Sequence, residues 1–81
     1  MLEATEKILA SISAKKKMTR EEIDNLPYLK TISEYGIEIS LYLLEKLGYV
    51  RISEDMNTFK ITSLGMKYIA RKGYLTELNE L

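Results

Sequence analysis

Residues 33–69 have the sequence SEYGIEISLYLLEKLGYVRISEDMNTFKITSLGMKYI, which opens with the pattern of an amphipathic helix. Its first large aliphatic side chains recur at the i, i+4 and i+7 spacing that places them on one face of an α-helix. They are Ile37, Leu41 and Leu44. Ser33 can cap the first helical turn with its side-chain oxygen, and Gly48 permits the backbone geometry that ends a helix. We therefore predict a helix over residues 33–47.

A two-stranded hairpin is predicted directly after this helix. Residues 49–52 and 58–61 alternate apolar with polar side chains, as half-buried strands do, and the residues between them are polar enough to form a turn. This alternation turns Arg51 and Lys60 outward. Thr62 can cap a further helix, which is followed by Gly73 at a position suited to a left-handed helix terminus.

The N-terminal part of the chain predicts two more helices. Residues 3–15 form the first, because their apolar side chains make one stripe. Thr19 and Glu22 have the spacing of a capping box, so a second helix begins there, and Pro27 disfavours helical geometry at the residue before it. Residues 74–81 have leucines at three-residue spacing, which predicts a helical turn packed on the first helix or on a second subunit.

This order of elements predicts a single domain, residues 1–81, that is mainly α with one β-hairpin: a three-helix core, a two-stranded wing and a C-terminal helix. Three segments resemble the small archaeal winged helix-turn-helix proteins, among them transcription regulators and chromatin proteins. These segments are residues 32–33, 42–50 and 59–65. The resemblance implies that the third helix recognises DNA, that the wing touches the DNA backbone or minor groove, and that the C-terminal helix makes a dimer. We expect a homodimer formed through the C-terminal segment and the first helix.

Composition restricts the kinds of site that the chain can form. It has 46% apolar residues, with 12 basic and 12 acidic residues and no net charge, so affinity for phosphates depends on how the charges are distributed. Cysteine and histidine are absent, which excludes disulfides and removes the commonest general base and metal ligand. We expect no enzyme and no cofactor. The lack of a long apolar segment or signal-peptide core predicts a cytoplasmic protein without membrane contact.

The predicted partner is double-stranded DNA, contacted through the third helix, the basic loop between the first two helices, and the wing. The candidate residues have basic, hydroxyl, amide or phenol groups in those regions. They are Lys15, Lys16, Lys17, Arg20, Lys30, Thr31, Ser33, Tyr35, Arg51, Asn57 and Lys60. The alternative for the lysine run is a solvated helix end, where lysines suit the helix dipole. The alternative for Arg51 and Lys60 is an ion pair with Glu54 or Asp55.

The third helix has an apolar arc wider than a single buried face needs. The predicted centre of the arc is Leu41, Ile37, Leu44 and Leu47, and the residues that extend it are Leu43, Ile39, Tyr35 and Tyr42. The strip that remains is acidic and consists of Glu34, Glu38 and Glu45. Because carboxylates repel phosphates, this helix favours an alternative function, a winged-helix protein–protein interaction module that does not bind DNA.

Overall fold

The computed structural model describes residues 3–73, and within them the chain forms four α-helices and a three-stranded antiparallel sheet. The helices are α1 (Glu3–Lys15), α2 (Arg20–Asp24), α3 (Glu34–Lys46) and α4 (Ser63–Lys72), and a 3-10 turn spans Pro27–Leu29. The strands are β1 (Lys17–Thr19), β2 (Val50–Ile52) and β3 (Thr58–Ile61). The helical turn predicted for residues 74–81 lies outside the described residues.

The helices start at the caps predicted from the sequence. At α2 the Thr19 hydroxyl accepts a hydrogen bond from the Glu22 backbone N–H at 3.1 Å, and the Glu22 carboxylate accepts one from the Thr19 N–H at 2.9 Å. Ser33 and Thr62 act in the same way for α3 and α4, since each accepts a bond of 3.0 Å from the N–H three residues on. These contacts satisfy amide groups that would otherwise lack partners in the first helical turn.

Two glycines, Gly48 and Gly73, allow the chain to leave α3 and α4. Gly48 has φ +79° and Gly73 has φ +81°, a region that side chains with a Cβ rarely adopt. The bond from the Gly73 N–H to the Ala70 carbonyl closes the end of α4. The helix predicted for residues 33–47 ends one residue early, at Lys46, and Gly48 then directs the chain into β2.

The predicted hairpin is present as β2 and β3, and the sheet has a third strand that the sequence did not predict. The additional strand is Lys17–Thr19, which pairs antiparallel with β3. Lys16 has φ +73° and turns the chain out of α1, and its carbonyl accepts a bond of 3.0 Å from the Ile61 N–H. At the other end of the strand, the Arg20 N–H donates to the Asn57 carbonyl at 2.8 Å. The lysine run therefore ends α1 at Lys15, turns at Lys16 and begins β1 at Lys17, and all three side chains are exposed.

The core lies between the inner face of the sheet and the long helices. On the sheet, Phe59 is buried and has Met18 and Ile52 as its cross-strand neighbours. The helices contribute mainly aliphatic side chains, among them Ile8, Leu9, Ile12, Ile23, Ile37, Leu41, Leu44 and Ile69. One buried polar contact joins α1 to α3, a hydrogen bond of 2.8 Å between the Thr5 and Ser40 hydroxyl groups.

Only part of the apolar arc of α3 faces this core. The buried positions of the helix are Ile37, Ser40, Leu41 and Leu44. Leu47, which we expected at the centre of the arc, is 49% exposed, because it lies beyond the last helical turn. Four apolar residues that extend the arc are also exposed: Tyr35, Ile39, Tyr42 and Leu43. The helix therefore has a second apolar face that points to solvent.

The domain is a small mixed α/β arrangement, compatible with a winged helix-turn-helix layout. The β2–β3 hairpin follows α3 directly, and β1 joins it from the N-terminal side. Within the part of the chain that is described, no helix is long and apolar enough to cross a lipid bilayer.

We predict that Gly65→Ala destabilises the domain by about 2 kcal/mol or more. A Cβ at this position would lie 2.3 Å from the backbone oxygen of Tyr49 and 2.7 Å from Ile61 Cδ1, and the backbone cannot move aside without disturbing β2. Urea denaturation measures the change in the free energy of unfolding.

The matched control is Gly36→Ala, inside α3. Its Cβ would lie 2.9 Å from Ile32 Cγ2, a side-chain methyl rather than backbone, and alanine gains up to about 1 kcal/mol in helix propensity, which offsets part of that contact. We expect Gly36→Ala to destabilise the domain clearly less than Gly65→Ala. Equal destabilisation by the two substitutions would contradict the tight contact at Gly65.

Candidate nucleic-acid interface

Three basic side chains lie in one line across the outer face of the sheet. Lys60 on the central strand β3 is directly opposite Lys17 on β1 and directly opposite Arg51 on β2. All three are exposed, whereas the next pairs along the strands, centred on Phe59, face the core. We call Lys17, Lys60 and Arg51 the basic row.

The basic row has no acidic partner among residues 3–73. The predicted alternative, an ion pair of Arg51 or Lys60 with Glu54 or Asp55, is not formed. The Asp55 carboxylate instead accepts hydrogen bonds from the Ser53 hydroxyl and, at 3.0 Å, from the Asn57 N–H. The bond from Ser53 is the main reason that the pKa of Asp55 is lowered. The Asp55 carboxylate is therefore hydrogen-bonded within the loop between β2 and β3.

Like charges placed opposite one another in a sheet are destabilising. Neighbouring strands are about 4.8 Å apart, so Lys17 and Arg51 are separated by roughly 10 Å with Lys60 between them. The row is a line of three positive charges held on a rigid backbone. Such a line attracts an anion that is itself extended and repeats its charges.

Lys15, another predicted DNA contact, is already paired. Its ammonium group lies 2.5 Å from Glu22 Oε2. The hydrogen bond from Lys15 and the one from the Thr19 N–H lower the pKa of Glu22 from its ordinary 4.5 to about 2. Lys16 remains exposed, and its ammonium group lies 3.7 Å from Met66 Sδ at the side of α4.

Arg20 is held inside the protein rather than presented to a ligand. Its Nε donates to Asp24 Oδ1 at 2.9 Å, and Nη1 lies 3.7 Å from Glu38 Oε1 on α3. Only 21% of its side chain is exposed, and Nη2 is buried without a hydrogen-bond partner in the described residues. The charge of Arg20 is offset by two carboxylates, so it is a poor phosphate contact.

The remaining predicted residues lie before or within α3 and in the hairpin loop. Lys30 and Thr31 are exposed in the segment between the 3-10 turn and α3. The Ser33 hydroxyl is used as the cap of α3, and Tyr35 is 72% exposed in the first turn. Asn57 is exposed in the loop, where its backbone is bonded to Asp55 and Arg20. These residues do not belong to the basic row.

A groove runs between α3 and the β2–β3 hairpin, and sequence reasoning missed it. It has a volume of about 490 Å³ and is lined by Tyr35, Ile39, Tyr42 and Met56, with Glu38 and Glu45 among the residues around it. In a winged-helix domain this side of α3 is the one expected to meet DNA. Here it is lined by apolar and acidic side chains and by Arg20, whose guanidinium group is paired with Asp24 and Glu38. The exposed apolar residues of the arc were the available signal for such a surface.

Comparison of the chain with family models, with curated proteins and with solved structures gives no match. The interpretation of the basic row and of the groove therefore depends on the residues of this chain and on their geometry.

We predict that Lys15→Gln raises the pKa of Glu22 from about 2 toward 4.5, because Lys15 is the largest cause of the shift. In the unaltered protein the lowered pKa stabilises the fold above pH 4.5, and this contribution is lost as the pH falls from 4.5 to 2. NMR titration of the Glu22 carboxyl measures the pKa directly. A value near 4.5 in the unaltered protein would show that the ion pair is not formed.

We predict that Lys60→Gln stabilises the domain by roughly 0.5 kcal/mol at low ionic strength, since it removes two repulsive cross-strand contacts. The gain should disappear at about 1 M salt, where the Debye length is only about 3 Å. Urea denaturation at both salt concentrations measures the difference. A gain that does not depend on salt would mean that charge repulsion is not its cause.

Proposed function

We propose that this chain is a winged helix-turn-helix domain that binds double-stranded DNA through phosphate contacts made by the basic row. The observation that supports the proposal most strongly is the alignment of Lys17, Lys60 and Arg51 without acidic partners in the described part of the chain. The order of the elements also supports the proposal, because a β-hairpin directly after α3 is the order found in winged-helix domains.

The spacing of the row suits a nucleic-acid backbone. One strand of B-form DNA has a phosphate every 3.4 Å along the helix axis, so a row of roughly 10 Å can neutralise about three phosphates. Neutralisation also removes the repulsion among the three side chains. The net charge of zero is compatible with this proposal because the three cations of the basic row form no ion pair within the described residues, although Glu45 of α3 lines one surface depression together with Arg51 and Lys60.

The surface of α3 does not favour base reading in the major groove. Its exposed side chains are mainly carboxylates and large apolar groups, whereas specific base contacts use arginine, lysine, asparagine or glutamine. Phosphate contacts position a protein but do not select a sequence. Of the two roles expected for a DNA-binding winged-helix protein, an architectural role with little sequence preference therefore fits better than that of a sequence-specific transcription regulator.

We predict salt-sensitive binding to random duplex DNA. Neutralisation of three phosphates gives a slope of log K against log salt concentration of about −2.7, so affinity falls about 40-fold between 50 and 200 mM salt. Lys60→Gln should reduce the magnitude of the slope by about 0.9. Fluorescence anisotropy with a labelled duplex at several salt concentrations measures both values.

Lys7→Gln is the matched control for this experiment. It removes the same charge from α1, where Lys7 is paired with Glu3 at 3.3 Å and lies over the Tyr28 ring, remote from the basic row. We expect its slope to equal that of the unaltered protein. The proposal fails if no binding is detected at low salt with protein at about 100 μM, since non-specific binding is normally stronger than this. It also fails if Lys7→Gln changes the slope as much as Lys60→Gln.

A second candidate function is a protein-interaction module without DNA binding. The exposed apolar residues of α3 favour it, because single large apolar side chains are common on surfaces but contiguous patches mark interaction sites. The same anisotropy experiment separates the two candidates: a protein that self-associates or binds a protein partner, but not DNA at any salt concentration, has the second function alone.

A further inference from the structure

The solvent side of α3 is an apolar surface that the core does not use. At 100° per residue, Tyr35, Ile39 and Tyr42 fall on the side of the helix opposite the buried residues, together with Lys46, and Leu43 lies at the edge of that side. Leu47 caps the C-terminal end of the helix and is nearer in angle to the buried Ser40. We call Tyr35, Ile39, Tyr42, Leu43 and Leu47 the outer face of α3; all are exposed. A helix that is apolar on two opposite sides is normally covered on both.

The outer face continues onto neighbouring elements. Met56 of the hairpin loop is 71% exposed and lines the same groove as Tyr35 and Tyr42. At the other end of α3, Leu64 is exposed and lies next to Gly48. Together these side chains expose on the order of 600 Å² of surface, at the upper end for the largest patch on a monomer. A standard protein–protein interface uses about 800 Å² per partner.

We propose that a second copy of this chain covers this surface. The two α3 helices pack antiparallel by their outer faces, about a two-fold axis that crosses them at the level of Leu41 along the helix. The area available is close to what a stable dimer needs, and an isologous contact closes on itself. The proposal replaces the C-terminal segment and α1, expected from the sequence as the dimer interface, with α3.

Charge favours the antiparallel orientation. Glu34 and Glu38 lie in the N-terminal half of α3, and Lys46 lies in its last turn, with its ammonium group 5.5 Å from the centre of the Tyr42 ring and so over the outer face. Antiparallel packing brings Lys46 of each copy to the acidic half of the other and sets the two helix dipoles in opposite directions. The glutamates lie at the edge of the contact, where solvent screens the repulsion between them.

The contact is centred on α3 and does not include the side chains of the basic row; Leu64, at its edge, borders a depression that Arg51 and Lys60 also line. Lys17, Lys60 and Arg51 are on the outer face of the sheet, not on α3, so each copy in the pair keeps its own row. The dimer therefore does not depend on the proposed function, and it can be tested without DNA.

Sedimentation velocity from about 1 to 500 μM tests the proposal. We expect micromolar or tighter self-association of the unaltered chain. Ile39→Glu, which places a charge in the centre of the outer face, should weaken it by roughly 30-fold or more. Ala14→Glu introduces the same charge at an exposed position of α1 and should leave the affinity unchanged. Circular dichroism verifies that both variants are folded.

Single-cysteine variants test the orientation, because the chain has no cysteine of its own. Tyr42→Cys lies next to the proposed two-fold axis and should form a disulfide-linked dimer on mild oxidation. Tyr35→Cys, six residues from Leu41, is separated from its copy by roughly 18 Å along the helices and should not, since a disulfide needs Cα atoms within about 7 Å.

Three results would overturn the proposal. The first is a monomer at the highest concentration. The second is a dimer that Ala14→Glu disrupts and Ile39→Glu does not, which would place the interface on α1. The third is disulfide formation by Tyr35→Cys as readily as by Tyr42→Cys, which would mean a parallel arrangement. None of these results decides whether the chain binds DNA, because that test rests on the basic row and not on α3.

Discussion

The register of β3 between its two neighbours determines both the core and the candidate site. Because side chains alternate along a strand, burying Phe59 between Met18 and Ile52 necessarily turns Lys60 to the opposite face. Lys17 and Arg51 are then brought beside it by the same pairing. A slip of one residue would place the apolar side chains in solvent and the cations in the core. The core therefore fixes the position of the basic row. The burial of Phe59, Met18 and the other core side chains offsets the repulsion among Lys17, Lys60 and Arg51.

The features that could be predicted from the sequence are helix caps and helix ends, because these depend on contacts between residues only a few positions apart. Thr19, Ser33 and Thr62 cap helices with atoms only three residues away, and Gly48 and Gly73 adopt positive φ angles for local reasons. Strand β1 could not be found in this way. It has three residues, begins at the last lysine of a run, and is a strand only because β3, about 40 residues later in the chain, supplies its hydrogen-bond partners.

The site depends on long-range neighbours to a greater degree than the fold does. In the sequence Arg20 looks like a free cation, but in the structure it forms ion pairs with Glu38 on α3 and with Asp24 on its own helix. Lys17 looks like one member of a run, but pairing with β3 separates it from Lys15. Helical periodicity likewise identifies the apolar positions of α3 without indicating which of its two sides meets the core. Each of these outcomes follows from contacts between residues distant in sequence, which a local pattern does not contain.

The two proposed surfaces also reinforce each other energetically. A single row that neutralises about three phosphates gives only the weak affinity typical of non-specific binding. In the proposed dimer, two rows joined through α3 would meet one duplex with a high effective concentration for the second contact, provided that both can reach it together. Thermodynamic linkage makes this reciprocal: if pairing of the chains strengthens the hold on DNA, DNA strengthens the pairing by the same factor. An apolar helix face, unsuited to phosphates, can in this way increase affinity for them without touching them.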